Sequence, residues 1–191
     1  MAMDRRGYRL GKRQARADRT RGAILAAARD LMVASGSSGP SVGAVAQRAG
    51  VSRITVYQHF GSKHVLIQAL AGQALKSLAR ATDHDQSGDT RDQLRRRIAS
   101  ACSLWASDPP LFRSLPSPSA VDTEGVGEDR ALAIRLATSD QLRPGCSLRE
   151  AEDVIGTLTS FPTFDRLARD GRRSPPAVGE ILMRLAAAIL A

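Results

Sequence analysis

Several residue types on which common chemistries depend are scarce in this chain. Its 191 residues include two cysteines, Cys102 and Cys146, and three histidines, His59, His64 and His84. Two cysteines are too few for a disulfide framework, and Cys102 lies in an apolar stripe that favours a buried structural thiol. His59 and His64 are five positions apart, whereas zinc-binding helices place two histidines four apart. We therefore expect reduced cysteines, no metal site and no cofactor.

Long apolar runs are also absent. The longest spans residues 185–191 and is far shorter than the ~20 residues needed to cross a membrane. The basic start is not followed by the apolar stretch of a secretory signal. No glycine-rich phosphate loop and no set of catalytic side chains is visible in the sequence. These absences predict a soluble, cytoplasmic protein that is not an enzyme and has no membrane partner.

The composition favours helices throughout. Aromatic residues make up only 4% of the chain and hydrophobic residues 42%, with alanine and leucine dominant. Both are good helix formers, and alternating β-branched runs typical of strands are few. The fold class that we predict is all-α, with about nine helices.

Positive charge is concentrated at the amino-terminal end. Residues 1–60 contain 11 Lys or Arg and three Asp or Glu, whereas the remaining residues contain 17 and 16. A basic first third beside a neutral remainder is typical of a nucleic-acid-binding module attached to a domain with another task.

The stretch SVGAVAQRAGVSRITVYQHFGSK, residues 41–63, reads as two short helices joined by a tight turn. Ser41 and Ser52 are each suited to cap a helix, because their hydroxyls accept backbone N–H groups. Gly50 between them permits the positive φ that commonly ends a helix. This is the pattern of a helix-turn-helix, whose second helix fits the DNA major groove.

The polar face of that second helix predicts the DNA contacts. Arg53, Thr55 and Gln58 are candidate base readers, and Tyr57 and Lys63 are candidate phosphate anchors. The predicted DNA-facing set is completed by Ser41, Ser52 and His59.

The segment AGVSRITVYQHFGSK resembles the helix-turn-helix signature of the tetracycline-repressor (TetR) family of bacterial transcriptional regulators. The resemblance covers roughly residues 20–70 and includes the turn, the Thr-x-Tyr-x-x-Phe helix and the Ser-Lys that opens the next helix. One position departs from the family pattern: a small residue, often glycine, commonly precedes the threonine, and here it is Ile54. The resemblance implies a homodimeric protein that binds an operator in double-stranded DNA and a small-molecule effector.

We predict three regions. Residues 1–18 form a basic flexible arm without apolar periodicity, residues 19–65 the helix-turn-helix domain, and residues 66–191 a helical effector-binding and dimerisation domain. Capping patterns predict helix starts near 91, 109, 148 and 175, the first from a Thr90–Gln93 capping box. A further helix is predicted over residues 127–142.

The apolar stripe that ends at Trp105 suggests a pocket between helices, because such pockets are largely apolar with a few polar anchors. Ordinary core packing is the alternative for each of its residues. The candidate effector-pocket residues are Ile98, Cys102, Trp105, Phe112, Leu136 and Thr157.

Two final helices, of which the first is predicted to run unbroken through Leu167, carry more apolar residues than one face requires. Such an excess suggests a partner helix. The resemblance implies that these helices form a four-helix bundle with a second subunit. The candidate interface residues are Val154, Leu158, Phe161, Ile181, Leu185 and Ile189.

Together these patterns predict a one-component transcriptional regulator, a repressor that binds a palindromic operator as a dimer and is released by a largely apolar effector. The alternative is a DNA-binding structural or recruiting protein without an effector.

Overall fold

The computed structural model describes residues 5–35, 39–79, 89–115, 123–187 and 189–190. In this part of the chain, secondary structure consists of α-helices and one π-helical turn, with a single isolated β-bridge between Leu142 and Leu190. The helices are α1 (Arg5–Ser35), α2 (Val42–Arg48), α3 (Arg53–Phe60), α4 (Lys63–Ala79), α5 (Thr90–Ser107), α6 (Pro109–Ser114), α7 (Thr123–Thr138), α8 (Leu148–Thr159), α9 (Phe161–Asp165) and α10 (Pro175–Ala186); the π-helical turn is Arg166–Asp170. The all-α prediction is therefore confirmed.

The chain forms two compact units that divide within α4, between Ala71 and Gly72. The sequence places a boundary slightly earlier, between residues 65 and 66. The assignment of DNA binding to the first unit, and of effector binding and dimerisation to the second, stays a prediction. The third histidine, His84, lies outside the described residues.

The core of the first unit is built from one apolar face of each helix. Ile24, Ala28 and Met32 on α1 are buried, as their spacing of four residues on one helical stripe predicts. Buried side chains from the following helices complete this core: Val45, Ala46, Val56, Phe60, Leu66 and Leu70. α1 packs on α2, and α2 on α3, so the short helices are held by tertiary contacts.

The start of the chain differs from the predicted flexible arm. α1 begins at Arg5 and continues without a break to Ser35, so residues 5–18 are helical. Arg, Lys, Gln and Ala have high helix propensity, and a helix of such residues does not need an apolar stripe. Residues 11–16 are exposed, which explains why no apolar period marks them. Residues 1–4 of the predicted arm lie outside the described residues.

The second unit is centred on α5, which contacts α7, α8, α9 and α10. All members of the predicted apolar stripe of α5 are buried: Leu94, Ile98, Ala101, Cys102 and Trp105. The stripe is therefore the inner face of this unit.

Helix starts follow the predicted caps with one exception. Asp108 Oδ1 accepts the Leu111 N–H at 3.3 Å before α6, and Ser147 Oγ accepts the Glu150 N–H at 3.1 Å before α8. α10 begins at Pro175, as predicted. The exception is α5, which begins at Thr90 with Asp89 at the N-cap, so the predicted Thr90 capping box is wrong.

The Asp89 carboxylate does not cap the helix by a side-chain hydrogen bond but accepts one from Gln141 Nε2 at 2.8 Å. This contact between segments 52 positions apart is invisible to a local cap pattern. α7 likewise spans Thr123–Thr138 instead of residues 127–142, and a turn with Asp140 at φ 56° follows it.

The predicted helix through Val154 and Leu167 is in fact three segments. α8 ends at Thr159, Ser160 has an extended backbone at φ −74° and ψ 150°, and α9 then begins at Phe161. Ser160 Oγ donates to the Thr157 carbonyl at 2.8 Å. Pro162 lies in the first turn of α9, where its missing N–H costs nothing. The Ser-Phe-Pro sequence is the signal that marks this break.

Candidate nucleic-acid interface

The helix-turn-helix has the caps that the sequence predicts. Ser41 Oγ accepts the Ala44 N–H, and Ser52 Oγ accepts the Thr55 N–H, both at 3.1 Å. Gly50 in the turn has φ +66°, a value that other residues adopt with strain. The start and direction of α3 are therefore determined by local interactions.

α3 has one buried and one exposed face. Val56 and Phe60 are buried, whereas Arg53 and Gln58 are exposed and Tyr57 exposes 50% of its surface. This exposed face carries side chains of the types that hydrogen-bond base edges in the major groove, and their role as base readers stays a prediction. Lys63 is also exposed, in the first turn of α4.

Thr55 and His59 flank that exposed face and are half-buried. The Thr55 hydroxyl is 2.9 Å from Ser52 Oγ, so it belongs to the cap of its own helix. Ser41 and Ser52 are both exposed, and both serve as caps. The structure thus brings the eight predicted DNA-facing residues into one unit, where at least three hydroxyls also hold the local fold.

Arg53 lies against the first turn of α2. A Cβ added to Gly43 would be 2.7 Å from one guanidinium nitrogen of Arg53. A side chain at this position would require the guanidinium to shift, which costs little because it is the end of a flexible, exposed side chain. The sequence pattern does not reveal this proximity of Arg53 to Gly43.

Lys63 lies near the loop that precedes α2. A Cβ added to Gly39 would be 3.7 Å from Lys63 Nζ, an ordinary contact distance, and Gly39 itself has φ +59°. The ammonium group is thus beside the entry to the helix-turn-helix. An anion at this place would meet both that charge and the first turn of α4, where helix dipoles favour negative charge.

Arg21 of α1 holds the carboxyl end of α3, and sequence reasoning missed it. Its Nη1 donates to the His59 carbonyl at 3.0 Å, and its guanidinium carbon is 4.3 Å from the centre of the Phe60 ring. Arg21 precedes Ile24 by three residues and so continues the buried stripe of α1. A charged residue at a position that continues the apolar stripe of α1 is the sequence signal that would have indicated Arg21.

The predicted effector-pocket residues are mostly core. Ile98, Cys102, Trp105, Phe112 and Leu136 are all buried, and Trp105 is only 2% exposed. The Trp105 indole N–H donates to the Thr159 carbonyl at 2.7 Å, and its ring packs edge-on against Phe112 at 4.9 Å between centroids. Trp105 lines neither of the two described clefts. These contacts are those of core packing, the alternative to a pocket for these five residues, and their part in an effector site stays a prediction.

Thr157 is the exception, because it is exposed and borders both of these clefts. One cleft, of about 410 Å³, runs along α8 and is lined mainly by apolar surface. Its rim carries Arg149, Glu150 and Asp153.

The predicted interface residues also divide by burial. Leu158, Phe161 and Ile189 are buried within the chain, so they belong to its own core and not to a surface. Phe161 packs against Trp105 at 5.5 Å between ring centroids. The Ile189 carbonyl accepts the Arg143 N–H at 3.0 Å, which fastens the end of the chain.

The other three predicted interface residues stay accessible. Val154 and Ile181 are half-buried, and Leu185 exposes 52% of its surface.

A buried polar network in the second unit was not predicted. Arg97 Nε is 2.8 Å from Asp129 Oδ1, with both side chains more than nine-tenths buried, and Thr159 Oγ1 donates to Asp129 Oδ2 at 3.0 Å. This network joins α5, α7 and α8. Its residues are 30 and 32 positions apart, so no local pattern indicates it.

The cysteines and histidines form no reactive centre in the described chain. Burial raises the pKa of the Cys102 thiol to about 11, so it is protonated at neutral pH. Among the described residues, no group of three His, Cys, Asp or Glu side chains is placed to hold a metal ion. In the same residues we find no helix with the length and apolarity that a membrane span requires.

Comparison with known proteins shows which family the helix-turn-helix region of this chain matches. The helix-turn-helix is a motif of DNA-binding domains, and here it lies within an all-helical fold. The family model for bacterial regulatory proteins of the tetR family matches residues 24–70, so the helix-turn-helix domain of this chain belongs to the tetR family. The resemblance seen in the sequence is confirmed.

A curated relative is an HTH-type transcriptional repressor of Mycobacterium tuberculosis, 28% identical over 129 residues. The match covers 63% of this chain but only 47% of the relative, so it spans about half the relative's length.

Solved structures share the fold. FadR of Bacillus subtilis, a transcriptional regulator solved with stearoyl-CoA, gives a TM-score of 0.66 at 18% identity and covers 86% of this chain and 96% of its own. NalD of Pseudomonas aeruginosa, the secondary repressor of a multidrug efflux pump, gives 0.66 at 24% identity and covers 91% and 98%.

Proposed function

We propose that this chain is a one-component repressor that binds a palindromic operator as a homodimer in the cytoplasm and is released by a small molecule. The observation that carries the proposal is the exposed face of α3, with Arg53, Tyr57 and Gln58 presented by a tetR-family domain. The repressor character is supported by the Mycobacterium tuberculosis relative. Two copies of such a helix meet two half-sites when the protein is symmetric.

Operator binding is tested by selecting bound sequences from random DNA and then measuring affinities of single variants. Lys63→Ala should weaken binding to every sequence and lower the log–log salt slope by about 0.9 for each phosphate that is no longer neutralised. Gln58→Ala should instead relax preference at one or two base pairs, by roughly 1–3 kcal/mol each. Gln68→Ala, an exposed glutamine of α4, is the matched control and should change neither quantity.

A regulator selects one short palindrome, whereas a DNA-binding structural protein coats DNA with little preference. If no sequence is enriched and both variants affect specific and random DNA equally, the second function replaces the first.

Dimerisation is assigned to the accessible part of the predicted interface. Leu185 on α10 exposes a large apolar side chain, and the half-buried Val154 and Ile181 lie on helices that contact each other, α8 and α10. Leu185→Glu should dissociate the dimer, because an uncompensated buried charge costs several kcal/mol. Ile134→Glu on α7 is the matched control, since Ile134 is similarly exposed. A wild-type monomer at micromolar concentration in sedimentation would remove the dimer and the palindrome together.

For the effector, we propose a largely apolar ligand in the second unit. The candidate position is the open groove beside Thr157, where Val154 and Leu158 supply apolar surface next to Arg149, Glu150 and Asp153. FadR, which shares the fold, was solved with stearoyl-CoA. A tenfold release of operator needs about 1.4 kcal/mol of coupling between ligand and DNA.

The test is a screen of apolar compounds for release of labelled operator, repeated with Thr157→Arg, which fills the cleft. Release that persists unchanged in this variant would place the ligand elsewhere. If compounds bind in the cleft without changing operator affinity, the cleft is not the regulatory site.

A further inference from the structure

The most exposed large apolar side chain among the described residues is on the recognition helix α3. Ile54 exposes 69% of its surface, more than the other exposed large apolar residues: Val33, Tyr57, Val65, Ile134, Leu148 and Leu185. An isoleucine at this position could alter base preference or pack against the rest of the fold. Its exposure excludes packing within the described chain.

Ile54 lies within the exposed face. It precedes Val56 by two residues and Phe60 by six, which places it roughly 200° and 240° around the helix from these two buried residues. Gln58, directly opposite the buried pair, is about 40° from Ile54 on one side, and Tyr57 and Arg53 are about 60° and 100° away on the other. When α3 enters a groove with its polar readers towards the bases, Ile54 therefore points to the groove floor.

The floor of the major groove offers one kind of apolar partner. Base edges present hydrogen-bond donors and acceptors there, except for the C5 methyl group of thymine. An isoleucine side chain cannot satisfy a donor or an acceptor, and covering one would leave it unpaired at a cost. Contact with a methyl group instead removes apolar surface of both partners from water.

We propose that Ile54 is a specificity-determining residue of this protein and that it reads the C5 methyl group of a pyrimidine, thymine or 5-methylcytosine, in each half-site. The inference rests on the proposed operator binding and extends it. Arg53 and Gln58 read polar edges, and Ile54 between them selects a methylated pyrimidine.

The test is a methyl-deletion scan of the selected operator. Each thymine of one half-site is replaced in turn by deoxyuridine, which removes only the methyl group and keeps the base-pairing pattern. For the wild type, one replacement should lower affinity roughly fourfold, the value expected for one buried methyl-sized group. For Ile54→Ala the same replacement should have no effect, while the effects of all other replacements stay as in the wild type.

Two variants make the result specific. Ile54→Val keeps the branch at Cβ, loses one methylene group and should retain part of the sensitivity to the deletion. Ile134→Ala, the same change at an exposed position of α7, should leave the whole scan unchanged. Alanine at an exposed helical position favours the helix, so Ile54→Ala should fold, as circular dichroism will verify.

A second arm adds the methyl group back. The sensitive thymine is replaced by cytosine or by 5-methylcytosine, each paired with guanine. The wild type should prefer the methylated form by roughly fourfold, and Ile54→Ala should bind the two equally.

The outcomes separate this inference from the proposed function. If the wild type selects an operator but no deoxyuridine position depends on Ile54, the inference is wrong and operator binding stands. If Ile54→Ala changes the oligomeric state instead of the methyl scan, the side chain serves a protein contact and the inference is again wrong. If no sequence is selected at all, the proposed function fails first.

Discussion

The two units of this chain differ in where their informative side chains lie. In the first unit, Arg53, Ile54 and Gln58 are exposed on a short helix whose start is determined by a serine cap one residue earlier. In the second unit, Trp105, a candidate pocket residue in the sequence, is buried in the core, and Asp129, which the sequence did not single out, is buried in a polar network. Exposed residues on a capped helix act on a partner, whereas buried residues act first on the stability of the fold.

This difference predicts which property of the protein each substitution changes. Changes on the exposed face of α3 should alter DNA recognition with little effect on unfolding. Changes in the buried network should alter unfolding before they alter any binding. The predictions below test this division, beginning with the largest expected effect.

Asp129→Ala should destabilise the second unit by about 3–5 kcal/mol, because removal of one partner leaves the other charge of a buried pair uncompensated. Glu128→Ala is the control: Glu128 is 3.6 Å from the same arginine, Arg97, but its side chain is about half exposed. An exposed pair contributes about 0–1 kcal/mol. Urea unfolding measures both. Equal destabilisation by the two variants would mean that Asp129 is not held in a low-dielectric site and would weaken the contrast between the units.

Alkaline pH should destabilise the second unit through Cys102. The pKa of its thiol rises from an ordinary 9.0 to about 11 in the fold, so between these values the folded thiol stays protonated while the unfolded one ionises. The unfolded state then binds fewer protons, and stability falls as the pH rises. The decrease should approach roughly 2–3 kcal/mol at pH 11. Cys102→Ala should remove this part of the pH dependence, whatever its effect at neutral pH; parallel curves for the two proteins would contradict the prediction.

Arg21→Ala should loosen α3 by about 1–2 kcal/mol, since it removes a hydrogen bond to the His59 carbonyl and a cation over the Phe60 ring. Hydrogen exchange of the α3 amides should become about tenfold faster or more. Arg19→Ala, whose Nε bonds only within α1 to the Ala15 carbonyl at 3.2 Å, is the control. Unchanged exchange in the Arg21 variant would contradict this prediction. It would show that the serine caps, and not contacts from α1, stabilise α3.

Replacing Lys12, Arg13 and Arg16 by glutamine should give the smallest effect per residue. These exposed residues of α1 lie within one helical face, at offsets of one and four. If they meet phosphates, the salt slope of operator binding falls by about 0.9 per phosphate, and base preference does not change. An unchanged slope would show that these three side chains do not neutralise phosphates. The basic end of α1 would then have no part in DNA binding.

The same contrast explains which features could be predicted from the sequence. Ser41, Gly50 and Ser52 act on neighbours within three or four residues, so their spacing predicts the caps, the turn and α3. The inner stripe of α5 could be predicted from helical periodicity for the same reason. Leu158, Phe161 and Ile189 were placed on an interface because apolar residues signal burial without saying against what. The network of Arg97, Asp129 and Thr159 depends on contacts across 30 residues or more, and no local pattern encodes it.

The single tryptophan lies in the second unit, so its fluorescence shows whether the two units unfold in one transition or in two. Trp105 emission changes only when the α5 core opens, whereas far-ultraviolet circular dichroism, to which every helix contributes, follows both units. Coincident denaturation curves from the two signals would mean that the units unfold as one cooperative block. A phase in the dichroism curve that is absent from the Trp105 signal would belong to the first unit, and its midpoint would measure the stability of that unit within the whole protein.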